Sequence, residues 1–237
     1  SRGRKLVGGG GGQSAWAGRA GARPTGRGGG LGTLEHKEGG WRGGVRPKQG
    51  EEVYMGCVLQ AGQGQNVARQ AAVHAGIPVE VPATTVNVLC GSGLHCVNLA
   101  AKLIASGDAD IIVAGGTESM SRAPYLVQQG RYGYRMGNAP LEDALLKDAL
   151  TDAFYGYHMG MTAENICEQW GLTREQLDEF AANSQQKCEK AMNEGRFKEE
   201  LVPVEVKTKK DTSTVDTDEG PSNGVTVARL SKLRCAF

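Results

Sequence analysis

The sequence contains no run of about 18 apolar residues, so nothing in it reads as a membrane-spanning helix. Its six cysteines, at 57, 90, 96, 167, 188 and 235, form no CxxC pair and no zinc-like spacing. In a chain of 237 residues that scatter argues against a disulfide framework. A reducing, intracellular setting is expected, cytoplasmic or mitochondrial. The four histidines show no i, i+4 pairing, and no metal site is expected. Gly62-Gln63-Gly64 and Gly91-Ser92-Gly93 each begin like a dinucleotide loop. Neither completes GxGxxG, and no acidic residue follows in the right place, which excludes a Rossmann cofactor site. Aromatic residues make up only 5% of the chain and do not interleave with basic ones, so no nucleic-acid partner is expected.

Glycine, by contrast, is abundant and unevenly spread. Of 36 glycines, 18 lie in the first 50 residues, which also carry 10 Lys and Arg against 2 Glu. The remainder is net negative by 7. Residues 1–48, with glycine runs at 8–12 and 28–30 and few aliphatics, cannot bury enough surface to offset ordering entropy. They read as a disordered Gly/Arg-rich segment. Three origins compete for it. Irregular Arg-Gly units speak against an RNA-binding arm. Dense glycine opposes the amphipathic helix of a mitochondrial presequence. The third origin is an N-terminus that is not the protein's ordinary one.

The rest of the chain is organised around residues 81–116, VPATTVNVLCGSGLHCVNLAAKLIASGDADIIVAGG. Thr84, Thr85, Val86, Val88 and Leu89 make a short β-branched run that reads as a buried strand ending at Cys90. Gly91-Ser92-Gly93 permits a sharp turn. A helix is then predicted from Ser92 to Ser106, with Gly107 and Asp108 stopping it. Asp110 to Gly116 is an apolar run of the two-side-buried parallel kind. Cys90 therefore falls where a strand ends and a helix begins, near unpaired amides and the positive end of a helix dipole. Such a setting lowers a thiol's pKa and offers amides to an oxyanion. A buried structural cysteine is the competing reading, and spacing alone leaves both open.

NVLCGSGL resembles the nucleophile motif of the thiolases, NxxC(G/A)SG. The segments QAGQGQN with ARQ and AGIP before it are similar to the same family. AGGTESMSRAPY (114–125), LTDAFYGYHMGMTAEN (150–165) and SKLRCAF (231–237) follow in the family's order. The resemblance covers about 49–237 and lies nearest the acetyl-CoA C-acetyltransferase type. It implies an α/β fold, a three-layer βαβαβ domain covering most of a thiolase's first half, without its first strand and helix. It also implies that Cys90 is the acyl acceptor, and that Leu150, His158 and Met159 contact the pantetheine arm of coenzyme A. Acetyl-CoA and other acyl-CoA thioesters would be substrates, with no cofactor, and the protein would form a homo-oligomer. In the family, positions matching Ser222 and Arg229 carry an Arg and a Ser that contact the nucleotide part of coenzyme A.

Around these motifs the pattern predicts several further elements. Val53–Leu59 reads as a strand and Val67–Ala75 as a helix. Residues 117–142 form a long irregular loop of the functional kind, which in tetrameric thiolases is an oligomerisation loop. Leu141–Phe154 reads as an amphipathic helix. Thr173–Asn193 reads as a helix with a capping box from Thr173 and Gln176, its apolar face built on Leu177, Phe180, Ala181, Cys188 and Met192. A strand at 202–206 leads to a polar hairpin. The GHP, CxGGG and NEAF strings of a thiolase's second half do not occur in the 237 residues. The expectation is a domain at 49–237 that condenses no acetyl-CoA alone. A fragment that only binds CoA esters or a partner subunit is the alternative.

Overall fold

The computed structural model describes residues 5–8, 46–199, 201–207, 212–218 and 220–237. Most of the segment read as disordered, residues 9–45, lies outside these. Two parts of it do not: residues 46–48 run into a short 3-10 turn at Pro47–Gln49, and β1 (Lys5–Gly8) is a strand, parallel to β4 (Ile111–Gly116), with Lys5 beside Ile111 and Gly8 beside Ala114. A first strand, which the sequence had not suggested, thus belongs to the sheet.

That sheet has four parallel strands in the order β1-β4-β2-β3, where β2 is Glu52–Gly56 and β3 is Ala83–Val86. Helices cover both faces. On one side α2 (Ser92–Ser106) lays Cys96, Ala100 and Ile104 against Ile112 and Ala114. On the other, α1 (Val67–His74) places Ala72 against Val53 and Ile77, and Ala68 and Ala71 against Met55. The β4 run IIVAGG is apolar on both pleats because each pleat meets a helix. This is the three-layer α/β arrangement expected. Gly107, at φ 88°, ends α2 in the left-handed conformation that glycine adopts without strain.

Three sequence expectations need correction. β3 ends at Val86, four residues short of Cys90, and is a half-exposed edge of the described sheet with Thr84 facing solvent, instead of a fully buried strand running to Cys90. Leu141–Phe154 is not one helix. Glu142–Asp143 (β6) pairs antiparallel with Tyr125–Leu126 (β5), and only residues 144–150 coil, closing in a single π turn at Leu146–Leu150. Thr151 then bridges to His158, and the Asp152 amide donates to the Tyr157 carbonyl at 2.8 Å, closing a small hairpin.

The third correction concerns α4 (Arg174–Asn193), which has the predicted Thr173–Gln176 capping box but packs on a different face. Phe180 is 78% exposed, while Asp178 and Ala182 are buried. The cause is the C-terminal segment with its short helix α5 (Val227–Leu230). Arg174 donates from Nε to Asp178 at 2.8 Å and from Nη2 to the Leu230 and Leu233 carbonyls at 2.9 and 3.1 Å. The ion pair fastens that segment over the Asp178 side. Val204–Lys207 (β7) pairs antiparallel with Thr212–Val215 (β8), so the strand expected at 202–206 is itself one arm of a hairpin instead of leading into one.

Candidate active site

The site begins with two glycines, Gly56 and Gly116, at the carboxyl ends of β2 and β4. A Cβ on Gly56 would lie 2.6 Å from the Ser92 carbonyl carbon and 2.7 Å from the Gly93 amide nitrogen. A Cβ on Gly116 would lie 3.3 Å from the Gly93 Cα. Only hydrogens at these positions let the first turn of α2 sit directly on the sheet. The strand ends and the helix start therefore meet at one point.

Cys90 is delivered there by a tight turn. Leu89 has φ 53°, a left-handed conformation costly for a branched residue. Side chains on either side hold it. Asn87 Oδ1 accepts from the Leu89 amide at 3.0 Å. The buried Ser92 hydroxyl accepts from the Val88 amide at 3.0 Å and donates to the Leu89 carbonyl at 2.6 Å. Cys90 is exposed and lines a cavity of about 420 Å³.

That cavity opens at the carboxyl end of the sheet, where ligands enter parallel α/β folds. Its walls are mainly apolar: Val58, Leu59, Leu89, Met120, Ala149 and Leu150, with Thr117 and Glu118 the polar contributors besides Cys90 and Ser92. Leu150 reaches it from the single π turn, so Cys90 and Leu150 share one cavity. His158 and Met159 do not line it. His158 caps α3 (Met159–Trp170), its Nδ1 accepting from the Gly160 amide at 2.9 Å, and its ring stacks on Phe237 at 4.8 Å. Through the Thr151–His158 bridge it is joined to the segment that supplies Leu150, without facing the cavity.

Two amides expected beside the sulfur are already in use. The Gly91 amide donates to the Val88 carbonyl at 3.3 Å and the Ser92 amide to the Leu89 carbonyl at 3.0 Å. An oxyanion formed at Cys90 must draw on other donors. Among the remaining cysteines, burial above all, then the Glu118 charge and hydrogen bond, push the Cys57 thiol up to about 12. Burial also raises that of Cys96. Ser222 and Arg229 lie elsewhere, Ser222 in the loop that α4 holds and Arg229 on α5: the Ser222 amide donates to Gln185 Oε1 at 3.0 Å and Arg229 Nη1 to the Asn223 carbonyl at 3.2 Å.

Glu118 is the site residue that sequence reasoning missed. Its carboxylate accepts from the Val58 amide at 2.8 Å, the Leu59 amide at 2.9 Å and the Cys57 thiol at 3.6 Å. A charged residue two positions after an apolar strand was the available signal. Among the described residues no group of three or more His, Cys, Asp or Glu could hold a metal ion. No helix among them is long and apolar enough to cross a membrane.

Comparison with known proteins supplies the remaining observations. The thiolase N-terminal domain family matches residues 38–237. An acetyl-CoA acetyltransferase of Allochromatium vinosum is 52% identical over 197 residues, covering 83% of this chain and 50% of the relative. One from Rhizobium meliloti is 54% identical over 196 residues, with 83% and 50% covered. A probable acetyl-CoA acyltransferase of Staphylococcus epidermidis is 48% identical over 205 residues, with 86% and 50% covered. The chain spans about half the length of the curated relatives it matches.

Proposed function

The chain belongs to the thiolase family, whose N-terminal domain it carries, and on that basis we propose that Cys90 accepts an acyl group from a coenzyme A thioester. The observation that carries this reading is the placement of Cys90 on a strained strand-to-helix turn, inside an apolar cavity at the carboxyl end of a parallel sheet. In the first half-reaction the Cys90 sulfur, as thiolate, adds to the thioester carbonyl. The tetrahedral oxyanion collapses, the coenzyme A thiolate leaves, and Cys90 holds the acyl group as a new thioester. The apolar walls around Leu59, Leu89 and Leu150 suit a short, uncharged acyl group such as acetyl.

The full reaction is acetyl-CoA C-acetyltransfer, either condensation of two acetyl-CoA molecules to acetoacetyl-CoA or the reverse thiolysis. Removing the α-proton of the second thioester needs a base, and the family's motif strings for that step are not among these 237 residues. His158 and Met159 would border the path of the pantetheine arm outside the cavity. A homo-oligomeric assembly belongs to the same proposal.

A second reading is a non-catalytic domain that binds CoA esters or a partner subunit. One observation favours it: Val88, Leu89 and Leu94, around the Cys90 turn, are broadly exposed, Leu94 at 69%. One experiment separates the two. Incubation with acetyl-CoA, followed by peptide mass mapping, should place an acetyl group on the Cys90 peptide and on no peptide of a Cys90→Ala variant. Tight binding of acetyl-CoA with no acetyl on Cys90 would favour the second reading.

A further inference from the structure

We propose that Glu118 is a positioning residue: its carboxylate clasps the turn leaving β2 and thereby sets the room beside Cys90. The reading of Cys90 as acyl acceptor gives this clasp its functional meaning, and the inference rests on it to that extent.

The ends of β2 and β4 are neighbours in the sheet, and two links cross between the segments leaving them. The Thr117 amide donates to the Gly56 carbonyl at 2.8 Å. One residue further, Glu118 takes three donors from the other segment: Val58 N–H on Oε2, and Leu59 N–H and Cys57 S–H on Oε1. Both Val58 and Leu59 are cavity walls, and so is Glu118 itself. Removing the clasp therefore alters the same space into which Cys90 opens.

Convergence of three donors restricts what can occupy the position. A carboxylate offers acceptors on both oxygens. A carboxamide of the same shape offers one oxygen and one NH2, and that NH2 would face a donor in either orientation. The part-buried donor opposite would lose its partner. Cys57 is suited to its part, since burial and the Glu118 charge keep its thiol protonated and able to donate. A negative charge on this wall also disfavours a second carboxylate in the cavity, which selects neutral acyl groups over those bearing an acid.

The test uses the whole chain and its Glu118→Gln, Glu118→Asp and Glu118→Ala variants. Cys90 is alkylated with iodoacetamide and with the bulkier N-phenyl iodoacetamide, and Cys57 labelling is followed in the same digests. Loss of a hydrogen bond to a charged group predicts that Glu118→Gln speeds Cys57 labelling about tenfold or more. The ratio of bulky to small reagent at Cys90 should rise by about fivefold, since a freed Val58–Leu59 wall admits larger groups. Glu118→Asp, which keeps two acceptor oxygens, should recover part of both effects. A general loss of stability would speed both reagents alike and leave the ratio unmoved. In the unaltered chain, hydrogen exchange should show the Val58 and Leu59 amides protected, a measurement independent of whether any variant folds. A ratio unchanged in folded Glu118→Gln, or exchange of those two amides at unstructured rates, would overturn the clasp. If acetyl-CoA never acylates Cys90 while the ratio shifts as stated, the proposed function fails and the clasp stands.

Discussion

At the scale of single residues, the proposed acyl transfer depends on how Leu89 is held at φ 53°. The Ser92 hydroxyl bonds both the amide before that residue and its own carbonyl. Ser92→Ala removes the Val88 amide's partner at a part-buried position, while the Leu89 carbonyl keeps the Ser92 amide, a cost of about 1–3 kcal/mol. It also frees Leu89 to relax toward ordinary backbone geometry, turning Cys90 away from the cavity. Urea denaturation should show the lower stability, and acetyl transfer to Cys90 should fall further than stability alone explains. Equal acylation of the two proteins would show that the strained turn is incidental. Cys57 makes a second residue-scale prediction. Its folded thiol titrates near 12, against an ordinary value of 9.0 for an unfolded cysteine. The folded form therefore binds the proton more tightly, so its contribution to stability is complete below pH 9 and declines as pH rises toward 12. Between those limits the denaturation midpoint of the unaltered chain should fall with pH more steeply than that of Cys57→Ala. At pH 8, iodoacetamide should label Cys90 well ahead of buried Cys57 and Cys96.

At the scale of elements, the meeting of β2 with the start of α2 is the tightest joint of the site. Gly56→Ala would force a methyl group to 2.6–2.8 Å from the Ser92 and Gly93 backbone and the Ser92 Cβ. Backbone cannot give as a flexible side chain can, so the helix start must shift. Overpacking of this kind costs about 1–3 kcal/mol. A denaturation midpoint unchanged in Gly56→Ala would mean that the joint is looser than its geometry. The strand-turn-helix unit itself was legible in sequence: the apolar run of α2 ends at Gly107, and its Ser92–Ser106 span is the one predicted. The place of Cys90 beside the start of α2 was legible from that local grammar, while its reading as acyl acceptor came only from the thiolase-like motif. What sequence could not give depends on distant partners. β-branched composition does not distinguish an edge strand from a central one, so β3 was misplaced. The Leu141–Phe154 periodicity was real, but pairing of Glu142–Asp143 with Tyr125–Leu126 and the Thr151–His158 bridge overrode it. The apolar face of α4 was misread because the Arg174–Asp178 pair recruits the C-terminal segment to another side. Glu118 acquires its role only when residues some 60 positions earlier bring three donors to it.

At the scale of the whole molecule, the site is open and much apolar surface is uncovered. Leu94, beside the Cys90 turn, is 69% exposed, and Tyr132 and Met136, in the ribbon leading from β5, are 93% and 98% exposed. Surfaces of this kind mark places where another chain or domain packs. The curated relatives are about twice as long as the part of them that this chain matches. These facts bear on how far the chemistry goes. For the proposed acylation the chain offers an exposed thiol, Cys90, on the wall of an apolar cavity. Condensation needs in addition a base for the α-proton and donors for a second oxyanion. Losing one general base costs about 10²–10⁴-fold, and losing one oxyanion donor about 10²–10³-fold. Groups that act together need not lose these factors independently, yet the smaller figures alone leave little turnover. The 237 residues by themselves should therefore take up acetyl on Cys90 slowly and synthesise no acetoacetyl-CoA above a Cys90→Ala control. Adding the separately produced second half of a related acetyl-CoA acetyltransferase should cover the apolar surface and restore measurable condensation, dependent on Cys90. Condensation by the 237 residues alone, at the rate of a complete relative, would mean that side chains within this domain supply the base, and His95, exposed on α2 beside the Cys90 turn, would be the first to replace.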